Sequence, residues 1–86
     1  MNIWQFQMLT SMKRVKWKEN GLKISLEENG TVVIEGNLGD KVIHEIRNRV
    51  KQDKYLLIQQ NNSQRLEVHD AESFSSVLDV LSEFYN

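Results

Sequence analysis

Residues 13–36, KRVKWKENGLKISLEENGTVVIEG, carry two Asn-Gly pairs, Asn20-Gly21 and Asn29-Gly30, that divide the stretch into three alternating runs. Asn-Gly between alternating apolar residues is the strongest short-range hairpin signal, because glycine readily enters the positive-φ conformations that tight turns demand. The stretch therefore predicts a three-stranded meander. Its register follows from keeping apolar side chains together, since a one-residue slip turns every side chain to the opposite face. A two-residue loop at Asn20-Gly21 pairs Trp17 with Ile24 and Val15 with Leu26. At Asn29-Gly30 the same loop mixes the faces, setting Leu26 against Val33 and Ile24 against Glu35. A three-residue loop, Glu28-Asn29-Gly30 with Gly30 left-handed, instead pairs Leu26 with Val32 and Ile24 with Ile34. On the outer face these registers set Arg14 opposite Glu27, and Lys23 between Lys18 and Glu35.

Beyond this stretch, Asn37-Leu38-Gly39-Asp40 resembles a capping box and opens a helix predicted over 38–53. Its buried stripe is Val42, Ile43, Ile46 and Val50, and Glu45 precedes Arg49 by the four residues that favour an exposed pair. Tyr55-Leu56-Leu57-Ile58 and Arg65-Leu66-Glu67-Val68 flank the polar turn Asn61-Asn62-Ser63 and read as a second hairpin. A three-residue loop there pairs Ile58 with Leu66 and Leu56 with Val68; a two-residue loop selects Leu57 and Tyr55. Asp70 caps a last helix whose Phe74, Val77, Leu78, Leu81 and Phe84 share one side. Placing residues 24–50 beside 56–82 repeats the order hairpin, polar turn, cap, amphipathic helix. In the first twelve residues Trp4, Phe6 and Met8 alternate as in a strand, while Trp4, Met8 and Met12 recur at helical spacing; the balance favours a helix.

The chain of 86 residues forms one α+β domain, 1–86. The expected fold is a mainly antiparallel five-stranded sheet in βββ-α-ββ-α order, containing two ββα-like units. Two helices cover one face, and a short N-terminal helix or strand lies at the sheet edge or on its other side. There is no cysteine and no proline. No disulfide or thiolate site is available, and no long apolar segment or leader pattern is evident, so the composition leads to a cytoplasmic expectation. The formal charge of −1 hides a segregation, since residues 1–18 hold Lys13, Arg14, Lys16 and Lys18 with no acid.

Chemistry needs a base or nucleophile, an orienting partner and an electrophile brought together, and the residues here supply none of these sets. His69-Asp70 are explained by a strand end and a helix cap. His44-Glu45 are helix neighbours that cannot face each other. HxxxH and ExxH spacings, phosphate loops and nucleophile elbows are missing. The expectation is a chain without catalytic, cofactor or metal sites.

Binding is the better reading, because the apolar inventory exceeds what one sheet face and two helix stripes absorb. Trp4, Phe6 and Met8, with two of the four residues Tyr55, Leu56, Leu57 and Ile58 of the doubly apolar strand, are the surplus, and Trp4, Phe6, Met8, Tyr55 and Leu57 are the candidate partner-binding residues. They point to a non-catalytic protein-interaction module, an adaptor, immunity-type or inhibitor protein of bacterial or phage kind, and to a homodimer. The alternative is nucleic-acid binding. On a strand, Arg14, Lys16 and Lys18 would project from one face at phosphate-like spacing, with Lys13 beside them.

Overall fold

The computed structural model of the chain describes residues 1–86. A helix, α1 (Ile3–Met12), precedes two hairpin-and-helix units. The first is β1 (Lys23–Leu26), β2 (Val32–Gly36) and α2 (Asp40–Arg49); the second is β3 (Tyr55–Gln60), β4 (Ser63–Val68) and α3 (Ala71–Phe84). The strands make one antiparallel sheet in the order β1-β2-β4-β3, so the second strands of the two hairpins meet at its centre. The α+β class and the paired ββα units agree with the sequence. The five strands and the βββ-α-ββ-α order do not, for the sheet has four strands and the order is α-ββ-α-ββ-α.

The missing strand is the basic run. Residues 13–16 are irregular and Trp17–Gly21 form a turn. The Leu22 amide donates to the Trp17 carbonyl at 2.8 Å and the Gly21 amide to that of Lys18 at 3.1 Å. These two bonds define a Schellman motif, which closes a helical turn on a left-handed residue, and Gly21, at φ 71°, is that residue. Asn20-Gly21 does signal a positive φ, but the glycine ends a helical turn and reverses no hairpin. The pairs Trp17–Ile24, Val15–Leu26 and Arg14–Glu27 consequently do not form, although Val15 and Trp17 still pack against the core.

The other hairpins settle into definite registers. Leu26 faces Val32, Ile24 faces Ile34 and Lys23 faces Glu35, across the Glu28-Asn29-Gly30 loop with Gly30 at φ 90°. In the second hairpin Gln60 pairs with Ser63, Leu57 with Leu66 and Tyr55 with Val68, which is the two-residue alternative. Tyr55 and Leu57 therefore join Leu66 and Val68 on the core side, and Leu56 and Ile58 face the opposite way.

The helices supply the rest of the core. α2 is shorter than the predicted 38–53: Gly39 is its N-cap with no side-chain bond, Val50 is already extended at φ −118°, and Gln52–Lys54 form a separate 3-10 turn. Asn37 does not cap it, and the Leu38 amide is satisfied by Gln64 Oε1 at 2.7 Å. Val42, Ile43, Ile46 and Val50 are buried as the periodicity predicts. In α3, Phe74, Val77, Leu78, Val80 and Leu81 are buried, while Phe84, expected in that stripe, lies in the last turn and is largely exposed.

α1 starts at Asn2, whose side chain accepts from the Gln5 amide at 2.9 Å while Gln5 Oε1 accepts from the Asn2 amide at 3.0 Å. This reciprocal capping box satisfies two otherwise orphaned donors. Phe6 stacks on Phe74, with ring centroids 5.7 Å apart, and Leu9 also packs against the core. α1 is thus a third helix of the layer, beside α3, with α2 on the other side of α3. This corrects its expected place at the sheet edge or on its other side, and it leaves the second sheet face without a cover.

Candidate functional site

The inward face of α1 uses Phe6 and Leu9, so helical geometry sends Trp4 and Met8 outward, flanked by Ile3 and Met12. Trp4 is 77%, Met12 67%, Met8 55% and Ile3 48% exposed. The helix contains no charged residue. Exposed apolar side chains are ordinary when scattered, but four along one uncharged helix make a contiguous patch with no role in the fold. Two of the candidates, Trp4 and Met8, lie in this patch. Phe6 does not, because its ring is engaged with Phe74.

Tyr55 and Leu57 are likewise partly buried against the core, since the two-residue turn brings them to the helix side. Their neighbours Leu56, 51% exposed, and Ile58, 36% exposed, occupy the open sheet face in their stead. Sequence reasoning named the wrong pair for exposure because β3 is apolar on both sides and only the turn length chooses between them. It also passed over Ile3 and Met12. The Asn2–Gln5 capping box, with the helical phase it fixes, was the signal that could have separated them from Phe6.

The basic residues are dispersed. Lys13 donates to Asp79 Oδ1 at 2.6 Å, and Lys18 lies over the Trp17 ring at 5.1 Å. Arg14 and Lys16 are exposed, but the strand that would have aligned them with Lys18 is not formed. The segment is held by its backbone, the Lys16 amide donating to the Tyr85 carbonyl at 2.8 Å.

Two arginines organise the remaining charge. On the open sheet face Arg65 Nε donates to Glu67 at 2.9 Å, with Glu27 and Glu35 within 3.6 Å of its other nitrogens. Between α2 and α3, Arg49 bridges Glu45 at 3.0 Å and Glu83 at 2.9 Å. Arg49 thus ties α2 to α3, and Arg47 lies in a groove beside β3. Both guanidinium groups are held above their ordinary value, Arg49 chiefly by its bond to Glu83 and Arg65 by its bond to Glu67, against some desolvation.

At Asp70 burial pushes the carboxyl up, but hydrogen bonds from Ser73 and the nearby Lys54 charge outweigh it and the net shift is downward. One carboxyl oxygen accepts from the Ser73 amide at 3.0 Å; the other is buried without a protein partner. The two histidines are apart in the fold. His44 lines a shallow depression with Asp40, Lys41, Glu45 and Phe84, while His69 Nδ1 sits 3.1 Å from Thr31 Oγ1 at the end of β4. No group of three His, Cys, Asp or Glu side chains is close enough to hold a metal ion, and no helix is long and apolar enough to cross a membrane. Comparison with protein families, curated proteins and solved structures finds no match to this chain.

Proposed function

We propose that the domain is a non-catalytic protein-binding module of the adaptor, immunity or inhibitor kind, which offers α1 to an apolar groove with an acidic rim on another protein. The observation that carries this reading is the outward stripe Ile3, Trp4, Met8 and Met12 on a helix without charge. Tryptophan is the side chain most often found at the energetic centre of interfaces, and methionine adapts its shape to irregular grooves. Arg14 and Lys16 follow the helix directly and stand exposed, so a rim of acids on the partner would complement them. Nucleic acid is favoured less as the partner, because Lys13 is already paired with Asp79 and the basic residues share no strand face.

The test takes a binding protein recovered from the native host and measures its affinity for defined variants. Trp4→Ser should weaken binding at least about tenfold, or about 1.4 kcal/mol, while the melting curve stays in place. Arg14→Glu combined with Lys16→Glu should slow association, most strongly at low salt. A partner indifferent to Trp4→Ser and to Met8→Ser would overturn the reading. Salt-sensitive retention on mixed oligonucleotides that Lys16→Glu abolishes would replace it with the nucleic-acid alternative.

A further inference from the structure

β3 is the outermost strand, bonded to β4 along its whole length and to no strand on its other side. Gln60 and Ser63, joined across a two-residue turn, can only be a pair that exchanges both N–H···O bonds. Such pairs alternate along an antiparallel ladder, so Ile58 with Arg65 and Leu56 with Glu67 are of the same kind. The amides and carbonyls of Tyr55, Leu57 and Gln59 therefore point away from β4, into solvent.

Natural sheets blunt a free edge with charges, proline, a bulge or a cover. β3 has none of them: its six residues, Tyr55–Gln60, carry no charge and its register with β4 is unbroken. The opposite edge, β1, has only four residues and opens on Lys23. Beside β3 runs a groove of about 540 Å³ lined by Arg47, Gln52, Tyr55, Leu56 and Leu57, which leaves room along the edge.

We propose that a second copy of this chain occupies that edge, the two β3 strands pairing antiparallel about a two-fold axis at Leu57 to make a continuous eight-stranded sheet. The choice of a second copy rests on self-complementarity. The outward-bonding residues Tyr55, Leu57 and Gln59 are centred on Leu57, so the two-fold axis sets Leu57 opposite its own copy and Tyr55 opposite the copy's Gln59. Six backbone bonds result. The same operation places Leu56 against the copy's Ile58 as a pair without mutual backbone bonds, the kind whose side chains approach closest. These are the two exposed apolar side chains of the open sheet face. Charge along the strand agrees, since Lys54 falls beside the copy's Gln60 and the two lysines stay about 20 Å apart along the strand direction.

A stable dimer commonly takes about 800 Å² from each partner, set against a total surface of 5535 Å² here. Buried area alone does not fix affinity, and for pairing through one strand edge dissociation on the order of micromolar is expected. Sedimentation of the whole chain from about 1 µM to about 1 mM should show the mass doubling. Over the same range, amide exchange at Tyr55, Leu57 and Gln59 should slow, while Leu56 and Ile58 stay protected throughout. Gln59→Pro removes an outward N–H and no backbone bond to β4, only the exposed side-chain bond that Gln64 Nε2 donates to Gln59 Oε1, so it should yield a folded monomer. Leu56→Lys, which keeps the backbone intact, should weaken pairing at least about tenfold. A wild-type monomer at the highest concentration would overturn the proposal, as would a dimer that survives both variants or leaves the three outward amides unprotected. Trp4→Ser should leave the dimer unchanged, which separates this interface from the docking of α1; a dimer lost on Trp4→Ser alone would instead place the copies on α1.

Discussion

An alanine at position 30 would meet two obstacles. Gly30 holds φ 90°, where a side chain strains the backbone, and a Cβ there would lie 2.8 Å from the Met1 carbonyl oxygen. The contact is with backbone and cannot be relieved by turning a side chain. Gly30→Ala should therefore cost about 2 kcal/mol in urea unfolding, with an unchanged slope. A loss within about 0.5 kcal/mol would mean that the loop repacks freely. This residue was legible in the sequence, because only a left-handed position 30 let Ile24 and Ile34 share a face. Gly21 was half legible: Asn-Gly reports a positive φ at the glycine, and that angle serves a Schellman cap as readily as a hairpin.

Among the elements, α1 divides its apolar residues between two duties. Phe6, stacked on Phe74, holds the helix to α3, whereas Trp4 reaches into solvent. Phe6→Ala should lower stability by about 2 kcal/mol, less than a fully buried phenylalanine because the site is only partly closed, and Trp4→Ser should change it by under about 0.5 kcal/mol. Equal losses, measured by thermal unfolding of dilute protein, would contradict this division of labour. α2 and α3 were readable from their stripes because each buries one face against the sheet. The ends of α2 were not, since Asn37 and Leu38 surrender their helical places to a strand exit and to the Leu38–Gln64 bond.

At the level of the molecule, three helices cover one face of the sheet, and the other face carries the Arg65 ion pairs, a buried Val33 and the two exposed side chains Leu56 and Ile58. Sequence patterning reported the layers but misjudged their partition, because it counted surplus apolar residues without knowing which side each would take. Stability toward acid is a property of the whole domain that depends on the α3 cap. The Asp70 carboxyl is depressed in the folded chain relative to the unfolded one. Its contribution is therefore fully present above about pH 3.9, the unfolded value, and is lost as pH falls through the lower folded value. Asp70→Ala should cost about 1 kcal/mol at neutral pH, and the gap between wild type and variant should narrow as acid is added. A gap in melting temperature that is constant from neutral to acid would remove the carboxylate from the account.

The unequal turns of the two hairpins carry a further consequence. Three residues close the first and two close the second, so β1 turns Ile24 and Leu26 to the helices while the matching residues of β3, Leu56 and Ile58, face away. Were Ser63 to leave β4 and join Asn61-Asn62 as a third turn residue, Ile58 would pair with Leu66, Leu56 and Ile58 would become interior and Tyr55 and Leu57 would look outward, with an almost unchanged balance of oil on each side. Turn length thus acts as the selector for which half of this strand the molecule conceals, and a turn that claimed one residue of β4 would rewrite the surface without rewriting β3.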